Sequence, residues 1–170
     1  MLADVCSVLA RLRTRDVLEL AEYGVDRDGA VLAFTAPAAL SHVFAYRGRP
    51  VAIVTFHQLT PKALVVSMMT TDDWPRVARA VMGWGVRVAR PALLAQGFER
   101  AECRTMEGHA EAIRLLERLG FVLECRLPRF GASGAAFLQY AWRINDHVHV
   151  QNTQSAAPAT AAADTRVKGG

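Results

Sequence analysis

The chain has 170 residues, 52% of them apolar, which is enough for one compact domain with its own core and too little for two of ordinary size. Its net charge of +4 comes from arginines scattered along the chain and not from a basic block, so it sets only a mild anionic preference and gives no reason to expect nucleic acid as a partner. No apolar run approaches the roughly 20 residues needed to span a bilayer, and no basic segment followed by a long apolar stretch opens the chain, so a soluble protein without the usual export signal is expected. Cys6, Cys103 and Cys125 are widely spaced and odd in number, as expected of free thiols in a reducing compartment.

In chain order, residues 4–11 and 14–23 carry apolar side chains at near-helical spacing (Val5, Val8, Leu9, Leu12; then Val17, Leu18, Leu20, Ala21), the second segment with Thr14 as its N-cap. Gly24 fits a helix stop, and residues 28–40 allow a short helix that ends before Pro37. Between 41 and 71 the composition turns β-branched and aromatic, in segments 42–46, 51–56 and 63–70 separated by glycine-containing or polar linkers, which predicts a three-stranded antiparallel meander. Asp72, Asp73, Trp74 and Pro75 then start a long amphipathic helix that buries Val77, Ala78, Val81, Met82 and Val88. It ends near Gly97, with a kink at Pro91. A strand over 100–105, a helix over 108–119 stopped by Gly120, and strands over 121–127 and 137–144 complete a domain assigned to residues 1–150. From Gln151 onward the sequence holds hardly any large apolar group, and residues 151–170 are expected to form a disordered tail.

The order of helices, meander, long helix, strand, helix and two strands describes an α+β fold with a mainly antiparallel mixed sheet flanked by helices. Within it, the segment from Glu107 through His109, Ala112, Ile113, Leu116 and Leu119 to Gly120 and Phe121 resembles the motif of GNAT (acyl-CoA N-acyltransferase-like) proteins, in which an Asn, an Ala and a Tyr lie along a helix ending in Leu-Gly-Phe. Ala112, Leu119, Gly120 and Phe121 match that pattern, and the resemblance covers residues 41–144. It implies acetyl-CoA as the acyl donor if the chain is active, with the strand 64–70 holding the pantetheine arm. Met68, Met69, Thr70, Thr71 and Arg76 are then the candidate cofactor-binding residues.

Two departures weaken that chemistry. The loop that holds pyrophosphate in active members is glycine-rich; here it reads Thr70-Thr71-Asp72-Asp73-Trp74-Pro75-Arg76. It has no glycine for close approach, one missing N–H donor and two carboxylates, each repelling an anion at about 4 Å by up to about 4 kcal/mol. The bland role for Asp72 and Asp73 is to cap the helix and complement its dipole. At the position of the general-acid Tyr stands Leu116, which cannot protonate a leaving thiolate. Glu107 or His109 are the candidate substitutes as base, against the plainer roles of helix-favouring acid and solvated first-turn residue. Cys103 and Cys125 are expected as inert core thiols and His57 as a strand end facing water.

His147 and His149 supply only two metal ligands, so no metal site is expected, and Trp74, Trp84 and Trp142 fit packing better than base stacking. In its length, its short helical start and its missing motifs the chain is similar to the GNAT-like internal virion proteins of short-tailed phages. That resemblance implies protein partners in virion or assembly, and a place in the bacterial host cytoplasm or the virion. Three functions therefore compete: a non-catalytic assembly protein, a divergent acyl-CoA-dependent N-acetyltransferase acting on a small or protein amine, and a small-ligand binding module.

Overall fold

The computed structural model describes residues 1–143. Ile144, the pair His147 and His149, and the expected tail at 151–170 lie outside the described residues.

Three short helices lead the chain: α1 (Leu2–Leu9), α2 (Thr14–Glu22) and α3 (Arg27–Thr35). Val5, Val8 and Leu9 of α1 pack with Ala30, Phe34, Ile53 and Met69 into one core. Thr14 is not the N-cap of α2. Arg13 holds that place, with no side-chain cap bond. The apolar residues of α2 are also not its buried ones: Val17 and Leu18 are each 50% exposed, and Asp16 is buried. A carboxylate can take an inward position when hydrogen bonds and a cation compensate for its lost hydration, and Asp16 has both. Asp26 caps α3 by accepting the Gly29 amide at 2.8 Å, and the helix stops at Thr35, before Pro37 as expected.

The meander is present as β1 (Leu40–Tyr46), β2 (Arg49–Thr60) and β3 (Ala63–Thr70), with β2 running past its expected limits at both ends. Arg47 and Gly48, with φ of 49° and 75°, form the two-residue left-handed turn that matches the twist of a β-hairpin. Three further strands, β4 (Arg100–Met106), β5 (Val122–Leu127) and β6 (Phe137–Arg143), extend the sheet in the order β1-β2-β3-β4-β6-β5. Only β3 and β4 pair in parallel. β5 is an edge strand, and its Cys125 is exposed, so the expectation of a core thiol fails there while Cys103 on the interior strand β4 is buried.

The long helix is three pieces: α4 (Trp74–Trp84), a π-helical turn (Gly85–Ala89) and α5 (Arg90–Ala95). Pro91 has no N–H to offer the carbonyl four residues back, and the chain adjusts by widening one turn, so that Arg90 donates to the carbonyl of Gly85. A π turn inserts one residue and rotates everything after it by about 100°. Val77 and Val81 are buried as expected, but the next inward positions are Ala89 and Leu93, and Val88 is 51% exposed. The helix ends at Gly97 with φ of 88°. α6 (Ala110–Arg118) closes on Gly120, whose φ of 82° lets the Phe121 amide reach the Leu116 carbonyl at 2.9 Å and its own amide reach Glu117 at 3.0 Å. Leu115 is the fully buried residue of α6, while Ile113, Leu116 and Leu119 are half-buried. Together with Val51, Phe56, Leu64 and Trp142 these helices enclose the larger core.

Candidate functional site

β3 and β4 pair over Ala63 to Arg100, Leu64 to Ala101 and Val65 to Glu102, and then separate. Beyond that seam residues 66–70 and 103–106 present backbone edges to each other across a gap. A cavity of about 360 Å³ fills it, lined by Met68 and Met69 from β3, Cys103 and Thr105 from β4, Ala112 and Leu116 from α6 and Glu19, Leu20 and Tyr23 from α2. Burial, with Glu19 and Glu102 adding repulsion, pushes the Cys103 thiol up to about 12, so it stays protonated and inert at neutral pH.

His109 precedes α6 and also lines the cavity, but it is not the solvated residue its position suggested. It is only 5% exposed. Its Nδ1 lies 3.0 Å from Oε2 of Glu19 and 3.4 Å from Oγ1 of Thr105, and its Nε2 is buried with no partner. The second Glu19 oxygen accepts the Met106 amide at 2.9 Å. Glu107, the other candidate base, takes no part in this group. It is exposed and paired with Arg126 through two 2.7 Å bonds, which hold its carboxyl below the usual range. Cavity and Glu107 are therefore separate.

The end of β3 is tied down. Asp16 accepts the Thr70 amide at 2.7 Å and the Thr70 hydroxyl at 2.8 Å, and Arg13 pairs with its other oxygen at 2.8 Å. The Thr70 carbonyl accepts from Arg13, the Thr71 amide donates to Val51, the Trp74 amide to Thr71 and the Arg76 amide to Asp73. Four of the amides that a phosphate would need are thus already used, and Pro75 has none. Asp72 and Asp73 are exposed, and Asp73, at the N-cap, makes no side-chain cap bond, so its capping role is limited to charge. Met68 and Met69 line the cavity, Met69, Thr70 and Thr71 are buried, and Arg76 does not line it and lies 5.8 Å from the Tyr46 ring. Arg13 also pairs with Glu111 of α6 at 2.8 Å, joining the two helices that flank the cavity.

Asp16, Glu19 and Tyr23 are the residues that sequence reasoning passed over; Leu20, the fourth, entered it only as an apolar helix position. Their spacing of three, four and seven marks one helical face, but it is a mixed face, and the apolar periodicity of the same segment pointed elsewhere. Among the described residues no group of side chains has the makings of a metal site, and no helix is long and apolar enough to cross a membrane.

A six-stranded, mostly antiparallel sheet with flanking helices and a splayed parallel pair at its centre is the GNAT fold. The chain is similar to Ard1 from Thermoplasma volcanium, with a TM-score of 0.65 and 15% identity over 85% of this chain and 93% of that one. It is similar also to the GNAT-family acetyltransferase of Bacillus anthracis (TM-score 0.60, 13% identity, 86% and 92% covered). A third is yncA of Salmonella typhimurium, solved with its cofactor acetyl-CoA (TM-score 0.57, 15% identity, 86% and 92% covered). No protein-family model and no curated protein matches the sequence. At these identities the likeness is one of fold, and function rests on the site itself.

Proposed function

We propose that the cleft between β3 and β4 is an acyl-transfer site of the N-acyltransferase kind, in which His109 does the proton transfer that Leu116, at the position of the general-acid Tyr, cannot. The observation that carries this reading is the buried, unpartnered Nε2 of His109 in a residue that lines the cavity. A buried ring nitrogen without a partner is costly unless a ligand supplies one. In the reaction Nε2 takes one proton from an acceptor ammonium. The freed amine nitrogen attacks the thioester carbonyl, its carbon–sulfur bond breaks as the carbon–nitrogen bond forms, and the second proton on nitrogen passes to the leaving sulfur. The unpaired edge of residues 66–69 suits an extended pantetheine arm. The donor's phosphates do not fit the usual loop, because four of its amides are used, Pro75 has none, and Asp72 and Asp73 repel them. Arg114 and Arg118 on α6 line a groove with Trp74 and Ala78 at the start of α4, and these two cations are the ones we assign to the phosphates.

A second reading is favoured by those same used amides: a GNAT scaffold that no longer takes acetyl-CoA and serves in assembly, as the likeness to phage internal virion proteins suggests. Calorimetric titration with acetyl-CoA and with CoA separates the two. Micromolar binding by the unmodified chain, followed by acetyl transfer in an amine screen, supports the acyltransferase. No binding by the chain, with binding gained on Asp72→Gly and Asp73→Ala, overturns it in favour of the scaffold.

A further inference from the structure

We infer that Glu19 is a positioning residue that holds His109 as its Nδ1–H tautomer and so makes Nε2 the basic nitrogen of the cleft. Its chemical use rests on the acyl-transfer reading above, but the tautomer itself does not. The group joins α2, through Glu19, to the end of β4 and the turn into α6, where the Met106 amide and His109 lie 87 and 90 residues further along the chain. An ionised carboxylate can only accept, so the proton between Oε2 and Nδ1 belongs to the imidazole. Oε1 is committed to Met106, which fixes the orientation of the carboxylate and leaves Oε2 no freedom to turn away. Thr105, 3.4 Å from Nδ1, lies on the same side of the ring and offers nothing to Nε2. With Nδ1 facing the carboxylate, a hydrogen placed on Nε2 instead would find no acceptor, so the geometry favours the tautomer that carries its lone pair at Nε2. A donor arriving in the cavity, such as an ammonium, completes it. The arrangement repeats the division of labour in carboxylate–imidazole pairs elsewhere, where the acid orients the ring and is not itself protonated.

Substituting Glu19→Gln tests this with little change of shape. Met106 still needs an acceptor, so the amide oxygen stays there and the NH2 group turns to Nδ1, which must then accept. The tautomer reverses, placing hydrogen on Nε2. Long-range proton–nitrogen correlation spectra of the histidine-labelled, ligand-free chain, with His109→Asn to identify the signal, read this directly. The expected result is Nδ1–H in the unmodified chain and Nε2–H in Glu19→Gln. A native spectrum already showing Nε2–H overturns the inference, whether or not the variant folds; so does an unchanged tautomer in a variant with native circular dichroism and urea midpoint. If acetyl transfer is found, Glu19→Gln lowers kcat by about a hundred- to ten-thousand-fold with the donor KM unchanged. If none is found, the acyl-transfer reading fails and the spectra still decide the role of Glu19.

Discussion

Asp16 and Thr70, 54 positions apart, are joined at both donors of the threonine: one carboxylate oxygen takes its amide and its hydroxyl together. These bonds anchor α2 to the last residue of β3 and occupy the amide that leads into the loop.

Removing the carboxylate by Asp16→Ala strands a buried amide and a buried hydroxyl and leaves the Arg13 guanidinium with Glu111 as its remaining carboxylate partner. We expect a loss of about 3 kcal/mol in urea denaturation. Asp16→Asn keeps an acceptor for Thr70 and should cost less than half of that.

The two glycines beside the π turn should respond with opposite sign. A methyl group at Gly83 meets only the guanidinium of exposed Arg87, which can swing aside, so Gly83→Ala gains about 0.5–1 kcal/mol from helix propensity. At Gly85 the same methyl comes within 2.9 Å of Leu119 Cδ2, where α6 packs against the turn, and Gly85→Ala should destabilise. Thermal melts of the two variants, side by side, check the contrast.

Thiol labelling should divide the cysteines by strand. Iodoacetamide on the folded protein should modify exposed Cys125 and leave Cys103 untouched until denaturant is added, because Cys103 is buried and its thiol is pushed up to about 12. Mass spectrometry of the peptides, before and after unfolding, gives the result.

Arg100 on β4 bonds Glu124 on β5 across the intervening strand β6, at 2.6 Å for one of its two contacts, and this holds the Glu124 carboxyl down at about 2. A carboxylate lowered by folding stabilises the native state above its unfolded value, near 4.5, and that contribution fades as pH falls toward about 2. Glu124→Gln should therefore be less stable than the parent at pH 7, and the difference should shrink across that acid window in urea titrations.

How far the sequence could carry these conclusions depended on whether a residue's partner was near or far along the chain. The β3 limits, the Gly120 stop and the order of elements follow from local rules, since turns, caps and alternation are decided within a few residues. Pro91 announced a disturbance, but whether a helix kinks or widens into a π turn is settled by what it packs on, so the exposure of Val88 was out of reach. The site was legible only in part. His109 stood out by its place in the motif, yet its burial depends on Glu19, 90 residues away, and that of Asp16 on Thr70. A buried acid leaves no periodic trace, because nothing about the residue itself says that its compensating donors exist.

The seam between β3 and β4 has a consequence for motion. Three residue pairs join a half-sheet built from residues 40–70 to a half-sheet built from residues 100–143, and each half is internally antiparallel and far more extensively bonded. The shortest strand pairing in the sheet therefore runs through its middle. Breathing along that line widens the central gap by bending two stiff panels about a short hinge, with neither panel unfolding. Amide exchange at this seam should be faster than in the β1-β2 and β4-β6 pairings on either side of it. A wedge-shaped opening that flexes at its apex admits guests of different girth, so the same backbone can serve different occupants with the change confined to a few side chains at the mouth.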